Sequence, residues 1–165
     1  SSDLLPGVKG FGSIATLLAE SRIMVSWQAA GMCVGLYDHV VRYLKNREQF
    51  GRSLLSFQLT QQKLFKVMSI AQSTLFMCHS IQHRHLYSRA SIGQISAVKA
   101  YCTEGLRESA RLAREAIGGN GIISDYHAMK GIIDAEALYT FEGTYDINLM
   151  VAGRELTGLP AFKTR

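Results

Sequence analysis

Proline occurs only at Pro6 and Pro160 of the 165 residues, so the long stretch between them lacks the residue that most strongly breaks a helix. Helices of many turns are therefore permitted, and the apolar residues are spaced to use them. Ile23, Trp27, Ala30, Val34, Tyr37, Val41 and Leu44 follow in steps of three and four, one stripe on a helix predicted over about 16–46. Gly31 and Gly35 inside it predict close approach of another element, because glycine otherwise weakens a helix. The run Gln49-Phe50-Gly51-Arg52 interrupts the pattern. A second stripe follows through Phe57, Leu64, Met68, Ala71, Leu75 and Cys78, and a third through Ile95, Val98, Cys102, Leu106, Ala110, Ala113 and Ile117.

Ser91 is placed to cap the third helix after a turn at 88–90, its hydroxyl accepting from an otherwise unpaired backbone amide. Gly118-Gly119-Asn120-Gly121 ends that helix, since glycine and asparagine tolerate the positive φ of a C-terminal cap. Shorter helices are expected over 125–137 and 144–157, and no strand signal competes. The expected fold is all-α: an up-and-down four-helix bundle with short extra helices over 16–165, preceded by a lead-in segment at 1–15. A hydrophobic content of 47% is enough to fill its core. The chain starts at a serine rather than a methionine, which leads us to expect numbering that begins partway along a longer protein.

Between Glu48 and Glu104 there is no acidic residue, while Arg52, Lys63, Lys66, Arg84, Arg89 and Lys99 are all cationic, in a chain of formal charge +5. Such a region suits an anionic partner, or is simply a solvated basic face. Nucleic acid is not expected, because basic residues interleaved with aromatics are missing. Cys33, Cys78 and Cys102 are odd in number and widely spaced, which fits no disulfide framework and points to a reducing, intracellular compartment. His79 and His83 lie one helical turn apart, yet no carboxylate nearby in sequence completes a metal site, and none is assigned. No transmembrane segment is expected, since no apolar run reaches about 18 residues.

Two short motifs carry chemistry. The Gly118 run follows a helix rather than a strand, so it is a turn and not a dinucleotide fingerprint, although its exposed amides could touch a ligand's oxygens. In Phe141-Glu142-Gly143-Thr144 an acid sits among apolar and aromatic residues just before a helix. One reading makes Glu142 a capping carboxylate at the helix N-terminus. The other makes it a buried base whose pKa is raised by desolvation.

Arg47-Glu48-Gln49-Phe50-Gly51 with Gln58, then Gly118-Gly119-Asn120-Gly121, then Phe141-Glu142-Gly143-Thr144 with Arg154, resembles the acyl-CoA dehydrogenase and oxidase family in order and spacing. The likeness extends over roughly 17–163. Tyr145-Asp146-Ile147-Asn148 and the segment from Gly153 to Gly158 are most similar to the glutaryl-CoA dehydrogenase and plant short-chain acyl-CoA oxidase branch.

The resemblance implies FAD-dependent α,β-dehydrogenation of an acyl-CoA thioester to the trans-2-enoyl-CoA. Glu142 is then the base that removes the α-proton while the β-carbon gives a hydride to the flavin, with Arg22 and Gly143 beside it at the substrate. The Glu142 amide and a flavin ribityl hydroxyl are the implied donors to the thioester oxygen. Arg47 matches the arginine at the FAD pyrophosphate; Gln49, Phe50 and Gln58 match the surroundings of the adenosine half. The Gly118-Gly119 turn matches a strip supplied by a partner chain, and Glu115 stands at a position of adenine contact where some members have glutamine. Thr144 matches a flavin contact, and Asp146 stands where many members have glutamine. A homodimer or homotetramer sharing the FAD site is implied, with electron-transfer flavoprotein as partner for a dehydrogenase and oxygen for an oxidase.

Phe141 replaces the commoner tyrosine, which keeps the ring and loses a hydroxyl. By the same likeness, 1–15 would be the end of a β domain lying outside this sequence, and the isolated chain is expected to neither hold FAD tightly nor turn over. The mitochondrial and peroxisomal matrix are the implied compartments, although Lys163-Thr164-Arg165 is not a peroxisomal ending. The alternative is a non-catalytic helical scaffold or oligomerisation module that retains the fold.

Overall fold

The computed structural model describes residues 6, 7, 10 and 12–161, and of Ser13 only the backbone. The rest of the lead-in segment and the Lys163-Thr164-Arg165 tail lie outside the described residues. Helix α1 spans Gly12–Asn46, α2 Gln58–Tyr87, α3 Ile92–Ile117, α4 Ala128–Thr140 and α5 Tyr145–Thr157. No helix among them is long and apolar enough to cross a membrane.

Helix α3 is the axis of the bundle and packs on α1, α2, α4 and α5. All seven residues of its stripe are buried, together with Ser96, Lys99, Ala100, Thr103, Ser109 and Leu112. Glu104, Arg107 and Arg111 keep one exposed polar strip on it. Side-chain contacts fix the directions. Helix α1 runs alongside α3 in the same sense, since Arg22 meets Ser96 near one end and Tyr43 meets Asn120 near the other. Helix α2 runs oppositely, with Lys63 on Glu115 and Tyr101 on Ser73. Helices α4 and α5 follow one another down α3, from Glu136 on Arg107 to Glu155 on Ser91. The fourth member of the up-and-down bundle is therefore two helices, broken at Phe141–Thr144.

The third helix is capped as expected. Ser91 Oγ accepts from the Gln94 amide while the Gln94 side chain accepts from the Ser91 amide, and Gly118 ends the helix at φ 69°. The Glu155 carboxylate adds bonds from Ser91 Oγ and the Gly93 amide, placing negative charge where the helix dipole favours it.

Four expectations need correction. Residues 48–53 form a small antiparallel hairpin, β1 (Glu48–Gln49) on β2 (Arg52–Ser53), where no strand was expected; Phe50 and Gly51 turn it at positive φ. Two residues per strand leave no alternation to detect. Val34 is exposed while Cys33 and Val40 are fully buried, so the core face of α1 is rotated from the expected stripe. A Cβ at Gly31 or Gly35 would meet nothing within 4 Å, so among the described residues neither glycine has the close neighbour expected. The fourth helix begins three residues later than expected, at Ala128, because 3-10 turns at Gly118–Ile122 and Ser124–Tyr126 occupy the approach.

Candidate active site

The break between α4 and α5 is where buried polar groups converge. Thr144 caps α5 through its hydroxyl, which accepts from the Ile147 amide, so Glu142 is not the capping residue. It adopts φ 56°, and Gly143 follows at 88°. Two consecutive left-handed residues, one of them bearing a side chain, are a costly local conformation that the surroundings must hold.

Cations and an amide do so. Arg22 Nε donates to the Glu142 carbonyl at 3.1 Å while its Nη1 donates to Ser96 Oγ at 2.9 Å. Lys99 Nζ donates to the Gly143 carbonyl at 2.8 Å and to the Tyr139 carbonyl at 3.4 Å. Asn148 Nδ2 donates to the Gly143 and Thr144 carbonyls at 2.8 and 3.0 Å. The carboxylate itself accepts a 2.6 Å bond from Ser21 Oγ on α1. Arg22 is 5% exposed and Lys99 is fully buried. Burial lowers the Arg22 pKa while Glu142 opposes the shift. Burial also brings Lys99 down to about 8, reinforced by the Arg22 charge and opposed by Glu142.

Arg22, Glu142, Gly143, Thr144 and Asp146 thus gather at the break. Glu142 is half-buried and Asp146 is exposed in the first turn of α5. The other expected site residues lie near the far end of α1 and α3. There Arg47, Gln49 and Phe50 are exposed around the hairpin, Gln58 opens α2, and Gly118 and Gly119 are exposed past α3. Glu115 is engaged by Lys63 at 2.8 Å and by Arg111, and these cations hold its carboxyl below the usual range. Arg52 lies 4.1 Å over the Phe57 ring, which Phe50 meets edge-on. The basic stretch is therefore not one solvated face, because Lys99 is interior, Lys63 is paired and Arg52 stacks.

Arg22 and Arg47 are separated by 25 helical steps, about 37 Å at 1.5 Å per residue. The structure does not bring the two groups of residues together within one chain.

The profile of the acyl-CoA dehydrogenase C-terminal domain matches residues 8–157. The chain belongs to the acyl-CoA dehydrogenase family. A glutaryl-CoA dehydrogenase from Mycobacterium smegmatis superposes on this C-terminal domain with a TM-score of 0.91 at 30% identity, covering 96% of this chain and 41% of that one. A structure of a glutaryl-CoA dehydrogenase from the same organism in complex with FADH2 gives 0.91 at 26% identity with the same coverage. A probable acyl-CoA dehydrogenase of Mycobacterium tuberculosis is 30% identical over 152 residues, 92% of this chain and 39% of its own length. The chain thus spans about two fifths of the relatives it matches.

Within this acyl-CoA dehydrogenase domain, sequence reasoning missed Ser21, Lys99 and Asn148 as supports of the break. Lys99 reads from sequence as one more surface cation, because nothing near it in sequence marks its partners, 40 and 44 positions away. Asn148 had a usable signal: an asparagine side chain one helical turn after Thr144 can donate back to the carbonyls that precede and open the helix. Among the described residues no three His, Cys, Asp or Glu side chains converge as a metal site would require.

Proposed function

We propose that this chain is the base-carrying part of an FAD-dependent acyl-CoA dehydrogenase or oxidase, in which Glu142 takes the α-proton of an acyl-CoA thioester and the product is the trans-2-enoyl-CoA. The observation that carries it is the Glu142 carboxylate, set on a left-handed turn whose two carbonyls are gripped by buried Arg22 and Lys99. A capping carboxylate needs none of that apparatus, and the cap is Thr144 instead.

A base works when it is held close to the proton it removes, and rigid placement supplies much of the rate. Ser21 steadies the carboxylate; Arg22 and Lys99 fix the backbone beneath it. Among the described residues no hydrogen bond takes up the Glu142 amide, which leaves that N–H able to donate to a thioester oxygen as negative charge develops there. Glu142 holds the proton once it is transferred.

The far end fits the adenosine and phosphate part of FAD. Phe50 is 89% exposed with a free ring face to offer, and the open space around Gly118 and Gly119 lets a ligand approach bare backbone. An exposed Arg47 guanidinium suits phosphate oxygens. Arg47, Gln49, Phe50, Gln58, Gly118 and Gly119 would hold that half; Glu115 would keep Lys63 and Arg111 in place beside it; Thr144 and Asp146 would lie near the ring. FAD, when bound, supplies the hydride acceptor. The two groups stand at opposite ends of α1, about 37 Å apart at 1.5 Å per residue, so one chain does not put both at one site. Two copies of the chain, each lending its far end to the other's base, reconcile the assignments, which is why we assign a homodimer or homotetramer. Electrons would leave to electron-transfer flavoprotein or to oxygen, in a mitochondrial or peroxisomal matrix.

The test is to purify the intact protein and add acyl-CoA without oxygen. A yellow protein whose flavin absorbance bleaches supports the proposal. A colourless full-length protein that still oligomerises identifies a helical scaffold and ends it.

A further inference from the structure

Lys99 is the largest of the fully buried side chains. It sits on the central helix, and among the described residues no carboxylate bonds to its ammonium; the hydrogen bonds go to two backbone carbonyls. Burying an ammonium is unfavourable even when its protons find acceptors, and an apolar residue of similar volume would often serve the core as well or better. The second cation, Arg22, adds repulsion. Packing therefore gives no reason for a lysine here.

Its contacts do give one. Tyr139 lies in the last turn of α4, and Gly143 is in the connection that leads to α5. A single ammonium bonded to both carbonyls ties the two sides of the break across Glu142 and anchors them on α3. Arg22 fastens the intervening Glu142 carbonyl from α1. Gly143 has little room of its own, since a Cβ there would lie 3.1 Å from Arg22 Nη2 and 3.2 Å from Asn148 Nδ2. With the carbonyls on either side of the base pinned to α3 and its own carbonyl pinned to α1, the Glu142 side chain inherits its origin from them.

We propose that Lys99 is a positioning residue for proton abstraction: its buried ammonium spans the Tyr139 and Gly143 carbonyls and so sets where the Glu142 carboxylate stands. This rests on Glu142 being the base. Removing the span lets the left-handed turn relax, and a displacement of about 1 Å at a reacting group can cost on the order of 100-fold in rate.

The test uses the intact FAD-bound enzyme, with acyl-CoA added in anaerobic stopped-flow. Lys99→Met, which keeps length and loses the donors, should slow flavin reduction about 100-fold while FAD content and the acyl-CoA dissociation constant stay within about threefold of wild type. Lys99→Gln, which keeps a donor, should recover part of the rate, and it replaces the methionine variant should that one not fold. Reduction within threefold of wild type in the folded variant overturns the proposal. So does a loss wholly explained by missing flavin, or one that appears as weakened acyl-CoA binding at unchanged maximal rate. Glu142→Gln is run beside them. If it still reduces flavin, the reading of the base has failed; if it is inert while Lys99→Met is normal, the failure is confined to Lys99.

Discussion

Ser21 Oγ donates a 2.6 Å hydrogen bond to Glu142 Oε2, joining the first helix to a residue 121 positions later in the chain. The bond lies one residue from Arg22, which holds the Glu142 backbone, so neighbouring residues of α1 secure both ends of the same glutamate. A hydrogen bond to a charged group contributes about 1.5–3 kcal/mol where it is sheltered, and less at a half-buried carboxylate. Ser21→Ala should slow flavin reduction roughly tenfold with helicity by circular dichroism unchanged. An unaltered rate would mean that the hydroxyl leaves the carboxylate's position unaffected.

Gly143 is the residue of the break least able to accept a side chain. Its φ of 88° disfavours any L residue, and the added Cβ would press on Arg22 Nη2 and Asn148 Nδ2. Gly143→Ala should cost about 1–3 kcal/mol of stability and lower the reduction rate at least tenfold, read by denaturant titration and stopped-flow. Wild-type values for both would show that the turn has slack.

At the opposite end, Gly121 is buried, and a Cβ there would collide with the Arg114 carbonyl and its carbon. These are backbone atoms that no rotamer change can clear. Gly121→Ala should therefore destabilise the protein by about 1–3 kcal/mol, lowering the thermal midpoint by several degrees while leaving Glu142 untouched. Thermal unfolding followed by circular dichroism measures it. An unchanged midpoint would contradict the packing described for the end of α3.

Lys99 makes stability depend on pH with a definite sign. In the folded protein its ammonium is brought down to about 8, by burial first and then by Arg22, against the pull of Glu142; the ordinary value is 10.5. Between those values the unfolded chain binds more protons than the folded one, so this group's contribution to stability rises with pH across the window. Below about 8 both states are protonated and its unfavourable term is constant. Urea titrations of wild type and Lys99→Met at pH 7.5 and 10 should show wild type gaining on the variant by about 1–3 kcal/mol at the higher pH. A difference that does not move would contradict the burial of a charged lysine.

How much could be read without coordinates depended on how local each signal was. The stripe on α3 was legible in full because that helix packs on four others, and Glu104, Arg107 and Arg111 mark its exposed side. On α1 the exposed Leu17, Met24 and Val34 compete with the true core face, so the same periodicity pointed to a rotated stripe. The cap at Ser91 was legible because both partners lie within one turn. From the residues alone Glu142 is open between a cap and a buried base; family likeness is what implies the base and brings in Arg22. A carboxylate before a helix reads readily as a cap, and the φ of 56° with the cap at Thr144 removes that reading. Lys99 stayed hidden because a cation inside an amphipathic pattern reads as surface, and its acceptors are anonymous backbone carbonyls.

The most direct measurement replaces Glu142 by glutamine in the intact flavoprotein, a change that keeps shape and polarity while removing the group able to accept a proton. On anaerobic mixing with acyl-CoA, the variant should retain its flavin and bind the thioester, yet show no bleaching on the timescale where wild type is fully reduced. Bleaching at the wild-type rate would contradict Glu142 as the base.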